Sequence, residues 1–272
     1  MSLRQFVQWS TVGYSILTQH SVPFYYALGF PKSGTGWLTR ILSDYLNLPK
    51  LRVKHRWLPS FRPCVIKTHR FVPGSRIRNR TLYIVRDIRD IAVSFNWHVL
   101  RHGGSQQREV ERFTKRVLSP DDVTENLPNV LRYLASGRSS SLPWTDHIRL
   151  ALDKGYQILR YEDLLADPVE TLSDVFSKLP GHQPDTNRLK FVIRSHAFEA
   201  ETGRPAGTDD NSSYIRSGVA GQWKEAFDRE SAELCRQLFG ETLLAMNYEA
   251  DDNWVDRFVS LREETEPKRC AG

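Results

Sequence analysis

Lys32, Ser33, Gly34, Thr35 and Gly36 lie in a row after an apolar run that ends in Gly29-Phe30-Pro31. Beyond them Leu38, Ile41, Leu42 and Tyr45 recur at i, i+3, i+4 and i+7. This order predicts a strand, a loop and a helix start, which together make a place to bind an anion. The first backbone N–H groups of a helix lack intrahelical acceptors, and the helix dipole is positive there. The glycines let the main chain come close to a ligand, and Lys32 adds a full positive charge. In the Walker A loop the lysine follows the last glycine and directly precedes Ser or Thr. Here Lys32 comes before Ser33-Gly34-Thr35, so the loop is not of that type.

Further segments carry residue types suited to chemistry. Val65-Ile66-Lys67-Thr68-His69 reads as a strand that ends in Lys, Thr and His. Open α/β sheets bind ligands beyond the carboxyl ends of their strands, which puts His69 on the same edge as the loop. A neutral histidine there can take a proton from a hydroxyl or amine. A surface histidine that closes a strand is the plainer reading. In Tyr83 to Ser94, Arg86 stands at another strand end and Ser94 about two turns into the next helix. A guanidinium fork plus a hydroxyl can hold a phosphate. The plainer reading is a capped amphipathic helix with an exposed serine. Asp87 is placed to cap that helix, whose apolar stripe is Ile88, Ile91, Ala92, Phe95 and Val99. Asp87 and Asp90 are expected to be solvated or paired with Arg86 or Arg89. In Ile215 to Lys224, Arg216 sits among Ser217, Gly218 and Gly221, which suggests backbone folded against an anion. A turn next to a core Trp223 fits equally well.

The elements that must position these residues follow a strand and helix alternation. The clearest apolar runs are Tyr25–Phe30, Cys64–Thr68, Thr81–Val85 and Tyr156–Tyr161, with a fifth strand placed near residues 51–54 or further on. Helical patterns separate them, so the expected fold is α/β: a single domain with a central parallel sheet flanked by helices. Residues 101–145 are expected to form helices and loops that cover a site. Asp163–Lys178 is expected to be helical with a restart at Asp167-Pro168, and Gln183–Phe198 helical after Pro184. Gly203–Ser213 reads as a long loop, Glu230–Met246 as the last helix, and the polar tail from Glu263 as disordered.

Composition sets the outer limits. The chain has 272 residues, 40% hydrophobic and 26% charged, with a net charge of +6. That suits one large α/β domain over 1–272 and an anionic ligand. No basic block or zinc-finger spacing supports nucleic acid. The three cysteines, Cys64, Cys235 and Cys270, form no CxxC, which fits reduced thiols and a cytoplasmic protein. No apolar run is long enough for a membrane span, and Arg4, Gln5, Gln8 and Ser10 interrupt where a signal peptide needs an apolar core. The glycosylation sequons at Asn79 and Asn211 are therefore read as chance.

Taken together the segments resemble the sulfotransferases that use 3′-phosphoadenosine 5′-phosphosulfate (PAPS). That family's loop is Pro-Lys-Ser-Gly-Thr-Thr/x-Trp, matched by Pro31 to Trp37. Its Arg, spacer, Asp-x-x-Val-Ser signature is matched by Arg86, Asp90, Val93 and Ser94. Its Arg-Lys-Gly-x-x-Gly-Asp-Trp-Lys signature is approximated by Arg216 to Lys224. Lys67-Thr68-His69 and Tyr161-Glu162-Asp163 also match, so the resemblance runs over residues 25 to 227.

The resemblance implies a P-loop-like sulfotransferase fold and transfer of a sulfuryl group to a hydroxyl, or an amine, of a small-molecule acceptor. It implies that Lys32, Ser33, Gly34, Thr35 and Trp37 hold the 5′-phosphosulfate, with Gly36 in the same loop and Trp37 also against adenine. Arg86, Ser94, Arg216 and Gly218, with Ser217 between the last two, would bind the 3′-phosphate. Tyr161 would touch adenine and Phe198 would stack near it. His69 would be the general base, and Lys32 and Lys67 would stabilise charge on the transferring and leaving groups. No metal is implied, since lysines and backbone N–H groups supply the positive field. Trp97, His98, Phe113 and Trp144 are candidate walls of the acceptor site.

The departures point to a bacterial or otherwise divergent member. Gly36 replaces a frequent Thr, Ser217 a basic residue, and Gln222 the usual Asp. After Lys224 the chain reads Glu-Ala-Phe-Asp, without the Thr-Val of the dimer motif found in many animal members, which leaves the oligomeric state open. The competing readings are a P-loop nucleotide kinase, disfavoured by the position of Lys32, and a non-catalytic nucleotide-binding protein, disfavoured by His69.

Overall fold

The computed structural model describes residues 3–51, 61–102, 104–211, 213 and 215–265. In chain order the elements are α1 (Leu3–Leu17), β1 (Tyr25–Gly29), α2 (Thr35–Leu46), β2 (Val65–Thr68), α3 (Ser75–Arg78), β3 (Thr81–Val85), α4 (Ile88–His102), α5 (Gly104–Thr114), α6 (Val123–Ala135) and α7 (Trp144–Asp153). There follow β4 (Gln157–Arg160), α8 (Tyr161–Ala166), α9 (Pro168–Ser177), α10 (Thr186–Ser195), α11 (Phe198–Thr202), α12 (Trp223–Ala226), α13 (Arg229–Ala245) and α14 (Trp254–Thr265). The chain folds into two compact units, each built from separated stretches. One comprises Met1–Arg86, Arg149–Asp210 and Ser217–Val219; the other comprises Asp87–Ile148, Asn211–Arg216 and Ala220–Gly272.

The first unit holds a parallel sheet in the order β2-β1-β3-β4. Parallel neighbours need crossovers, and helices supply them. β1 and β3 are buried along their whole length, which is why they read as unbroken apolar runs. Side chains alternate between the two faces. Tyr25, Ala27, Val65, Leu82, Ile84 and Leu159 join the α2 stripe Leu38, Ile41, Leu42 and Tyr45 and residues of α9 and α10 in one core. Tyr26 and Ile66 pack on the opposite side with Val12 of α1, Val72 and Ile77. Ser15 of α1 is hydrogen-bonded there to the Tyr26 hydroxyl. Register pairs Leu28 with Thr68, Gly29 with Ile84 and Val85 with Arg160. The carboxyl ends of all four strands therefore lie on one edge, followed by the loop, His69, Arg86 and Tyr161.

The second unit is helical among the described residues. Trp144 is fully buried and meets Phe239 of α13 edge-on at 5.8 Å. It is core and not a wall of an acceptor site, which corrects that expectation.

The restart at Asp167-Pro168 is observed: Asp167 caps α9 by accepting from the Glu170 N–H at 2.9 Å, with Pro168 in the first turn. Other expectations need correction. Glu230–Met246 is not the last helix, because Trp254, Val255, Phe258 and Val259 bury one side of α14. The charged residues on its other side hid that stripe in the sequence. Glu263, Glu264 and Thr265 are thus helical, while residues 266–272 lie outside the described residues. A fifth strand is absent among the described residues. Lys50 makes a single parallel bridge to Val65, and residues 52–54 lie outside the described residues. Cys64 and Cys235 are buried free thiols, and Cys270 lies outside the described residues.

Candidate active site

The loop between β1 and α2 takes a shape that its residue types anticipate. Lys32 and Gly34 both have left-handed backbone, with φ 72° and 89°. Gly34 is required twice over, since a Cβ there would also lie 2.7 Å from Cδ2 of Tyr161. The N–H groups of Trp37 and Leu38 donate to Gly34 O at 2.9 and 3.1 Å, so the helix begins with the amides before them pointing past its N-terminus. The hydroxyls of Ser33 and Thr35 are buried there and have no hydrogen-bond partner among the described residues. A buried hydroxyl left this way costs about 1–3 kcal/mol, which a ligand at this helix end would relieve.

The other sequence-derived residues of this unit meet around Tyr161. The Arg86 guanidinium lies 4.4 Å from the Tyr161 ring centre, and Trp37 approaches the same ring edge-on at 5.9 Å. Arg86 donates to Lys32 O at 3.4 Å and Val219 O at 3.1 Å. Gly218, φ 70°, packs directly on Phe198, where a Cβ would fall 2.1 Å from the ring. The structure thus gathers Lys32, Gly34, Trp37, Arg86, Tyr161, Phe198 and Gly218. Ser217 is buried and its carbonyl accepts from Gly207 N–H at 2.9 Å.

His69 Nδ1 lies 2.7 Å from Gly29 O. A carbonyl only accepts, so in the neutral ring Nδ1 carries the proton and Nε2 keeps its lone pair. Lys67 stands on β2 opposite Ala27, and its carbonyl accepts from the Gln8 side chain at 3.4 Å. Sequence reasoning missed His196, whose carbonyl accepts from Trp37 Nε1 at 2.8 Å. Its ring lies between Asp44 at 2.7 Å and Glu201 at 2.6 Å, with Arg40 on Glu201 at 2.7 Å. The spacing of Arg40 and Asp44, one turn apart on α2, was the only local signal.

In the second unit, Asp87 caps α4, with Oδ1 accepting from Arg89 N–H at 2.9 Å. Arg89 is buried between Asp87 and Glu249, over Trp223 at 3.9 Å and Trp254 at 4.7 Å. Burial disfavours its charge, but the Asp87 and Glu249 carboxylates outweigh that and hold its pKa above the ordinary value. Burial likewise pushes up the neighbouring Cys235 thiol. Asp90 is not solvated, which corrects that expectation: it is buried and accepts from Gly221 N–H at 2.7 Å and Trp223 N–H at 3.1 Å. Ser94 is half-buried on α4. Arg216 donates to the side-chain oxygen of Gln222. Phe227 is fully buried and Asp228 caps α13, so the Glu-Ala-Phe-Asp run is built into this unit.

A family model described as "Sulfotransferase domain" matches residues 27–247. The chain belongs to the sulfotransferase domain family. All the motif segments of this sulfotransferase fall inside that match, and α14 lies beyond it. The chain is 27% identical to a flavonol sulfotransferase-like protein of Flaveria bidentis, covering 78% of this chain and 79% of the relative. It is 22% identical to sulfotransferase 2A1 of Homo sapiens, covering 79% and 82%. Mouse sulfotransferase SULT7A1, solved with PAP, superposes with a TM-score of 0.59 at 19% identity over 92% of this chain and 94% of that one. Retinol dehydratase, solved with retinol and PAP, gives 0.59 at 15% identity over 84% of each chain. At these identities the likeness is one of fold: the parallel sheet flanked by helices is the P-loop-like sulfotransferase fold. Among the described residues of the sulfotransferase, no helix is long and apolar enough to cross a membrane, and no group of His, Cys, Asp and Glu could hold a metal.

Proposed function

We propose that this sulfotransferase takes its sulfuryl group from PAPS and passes it to a hydroxyl, or an amine, of a small-molecule acceptor. The observation that carries the reading is the cradle at the start of α2: glycine-bearing backbone, Lys32, and two buried hydroxyls, Ser33 and Thr35, with no partner among the described residues. Its residues suit an anionic group that accepts from each of them. The PAP complexes of SULT7A1 and retinol dehydratase support the choice of nucleotide.

In this reading Lys32 to Trp37 bind the 5′ end of the donor. Trp37, Tyr161 and Phe198 form the aromatic surface for adenine. Arg86, Ser94, Arg216, Ser217 and Gly218 take the 3′-phosphate. His69 acts through Nε2, since Nδ1 is held by Gly29 O. The acceptor oxygen attacks sulfur as its proton passes to Nε2, and the bond from sulfur to the bridging phosphate oxygen breaks. Lys32 and Lys67 stabilise the charge that builds on the departing oxygen and the sulfuryl group. Positioning and electrostatics do most of this work, as in phosphoryl transfer.

The test is transfer of labelled sulfate from PAPS across an acceptor panel, with His69→Ala as the key variant. Loss of a positioned base lowers the rate by about 10²–10⁴-fold. Full activity in a folded His69→Ala protein would remove the base from the mechanism. Tight PAP binding without turnover on any acceptor would mark a binding protein, and Mg²⁺-dependent phosphate transfer from ATP without PAP binding would mark a kinase.

A further inference from the structure

Asp90 lies outside every role assigned so far, yet it is a buried acidic side chain whose recorded acceptor bonds run to a distant stretch of backbone. Its Oδ2 accepts from Gly221 N–H at 2.7 Å and its Oδ1 from Trp223 N–H at 3.1 Å. Both are charge-assisted bonds of the stronger kind. Gly221 takes a left-handed φ of 84°, which a glycine adopts without strain. Between the two anchored residues sits Gln222, whose side-chain oxygen receives the Arg216 guanidinium. One helical turn beyond Asp90, on the same face of α4, stands Ser94.

We propose that Asp90 is a positioning residue for the donor's 3′-phosphate: it holds the 221–223 backbone on the face of α4 that carries Ser94, and through Gln222 it places Arg216 at the same spot. This rests on the reading of Ser94 and Arg216 as 3′-phosphate ligands. The Trp223 indole is held independently, by Arg89 at 3.9 Å and by Trp254 and Phe258 at 5.9 and 5.1 Å. Loss of the Asp90 carboxylate therefore releases the backbone at residues 221–223, and Gln222 with it, and leaves the aromatic cluster in place. Gln222 is neutral, so the contact it offers Arg216 is a hydrogen bond and not an ion pair.

The experiment measures binding of PAP and of AMP, which lacks the 3′-phosphate, to the full chain by isothermal titration. Wild type is expected to prefer PAP. Asp90→Ala is expected to lose roughly 10- to 100-fold in PAP affinity, the scale of a hydrogen bond to a charged group, while AMP affinity stays as in wild type. Asp90→Asn keeps the shape and one acceptor oxygen, and should lose an intermediate part of the preference even if the alanine variant does not fold. Equal loss for both nucleotides, or no loss for either, in a folded Asp90→Asn protein overturns the positioning role. A wild type that binds PAP no better than AMP overturns the PAPS reading itself, and the inference with it.

Discussion

Arg86 closes β3 in the first unit, and Arg89, three residues on, lies in the first turn of α4 in the second. Both are buried, at 9% and 2% exposure, and both lie over aromatic rings. Their polar partners differ in kind. Arg86 donates to the carbonyls of Lys32 and Val219, beside the loop that opens α2. Arg89 is paired with the carboxylates of Asp87 and Glu249, contacts that cancel its charge. Two arginines three residues apart in one motif thus stand in different surroundings: Arg89 is locked into an ion-pair network of the second unit, and Arg86 lies beside Lys32 and Tyr161 of the first, where we propose that it serves an anionic ligand.

The contrast can be broken by substitution. The largest effect is expected for Arg89→Ala, which strands two carboxylates against an apolar cluster. Removing one partner of a buried ion pair costs about 3–5 kcal/mol, which urea denaturation would read directly. A loss as small as that of an exposed ion pair would put Arg89 outside the structural class. PAP affinity of the protein that remains folded should not change.

Arg86→Ala is expected to do the reverse. Its stability should move little, while PAP affinity falls by roughly 10- to 100-fold, the worth of a hydrogen bond to a charged group. An Arg86→Ala protein that melts early but binds PAP normally would merge the two arginines into one class.

Ser33→Ala sharpens the same distinction at smaller scale. Its hydroxyl is buried without a partner among the described residues, so its removal should leave the melting temperature unchanged or slightly raised. PAP binding should weaken by the worth of one hydrogen bond from a hydroxyl to a charged group, about 1.5 kcal/mol. A clear drop in melting temperature with unchanged binding would show that the hydroxyl serves the fold.

Some of this was legible without a structure. The β1 run, the displaced Lys32, the glycines and the α2 stripe are local features, and they specified the cradle together with the sheet edge on which His69 and Arg86 stand. The Asp87 cap and the restart at Asp167-Pro168 were also readable, because caps depend on residues within one turn. Asp90 was not. The N–H groups that donate to it are 131 and 133 residues away, and on a helix surface an acidic residue beside arginines looks like a solvated charge or an ion pair. Trp144 looked like a site wall because large aromatics serve cores and pockets alike, and only its packing on Phe239 tells which. α14 was hidden by charges on its outer side.

The sequence by itself determined where an anion could be held and which family pattern the chain follows, since spacing along the backbone sets strand ends, helix starts and glycine turns. Only the tertiary structure decided which buried charges are paired, because that depends on contacts such as Arg89 with Glu249, 160 residues apart. Charge at a site is a sum over neighbours in space, and no local pattern of residues contains those neighbours.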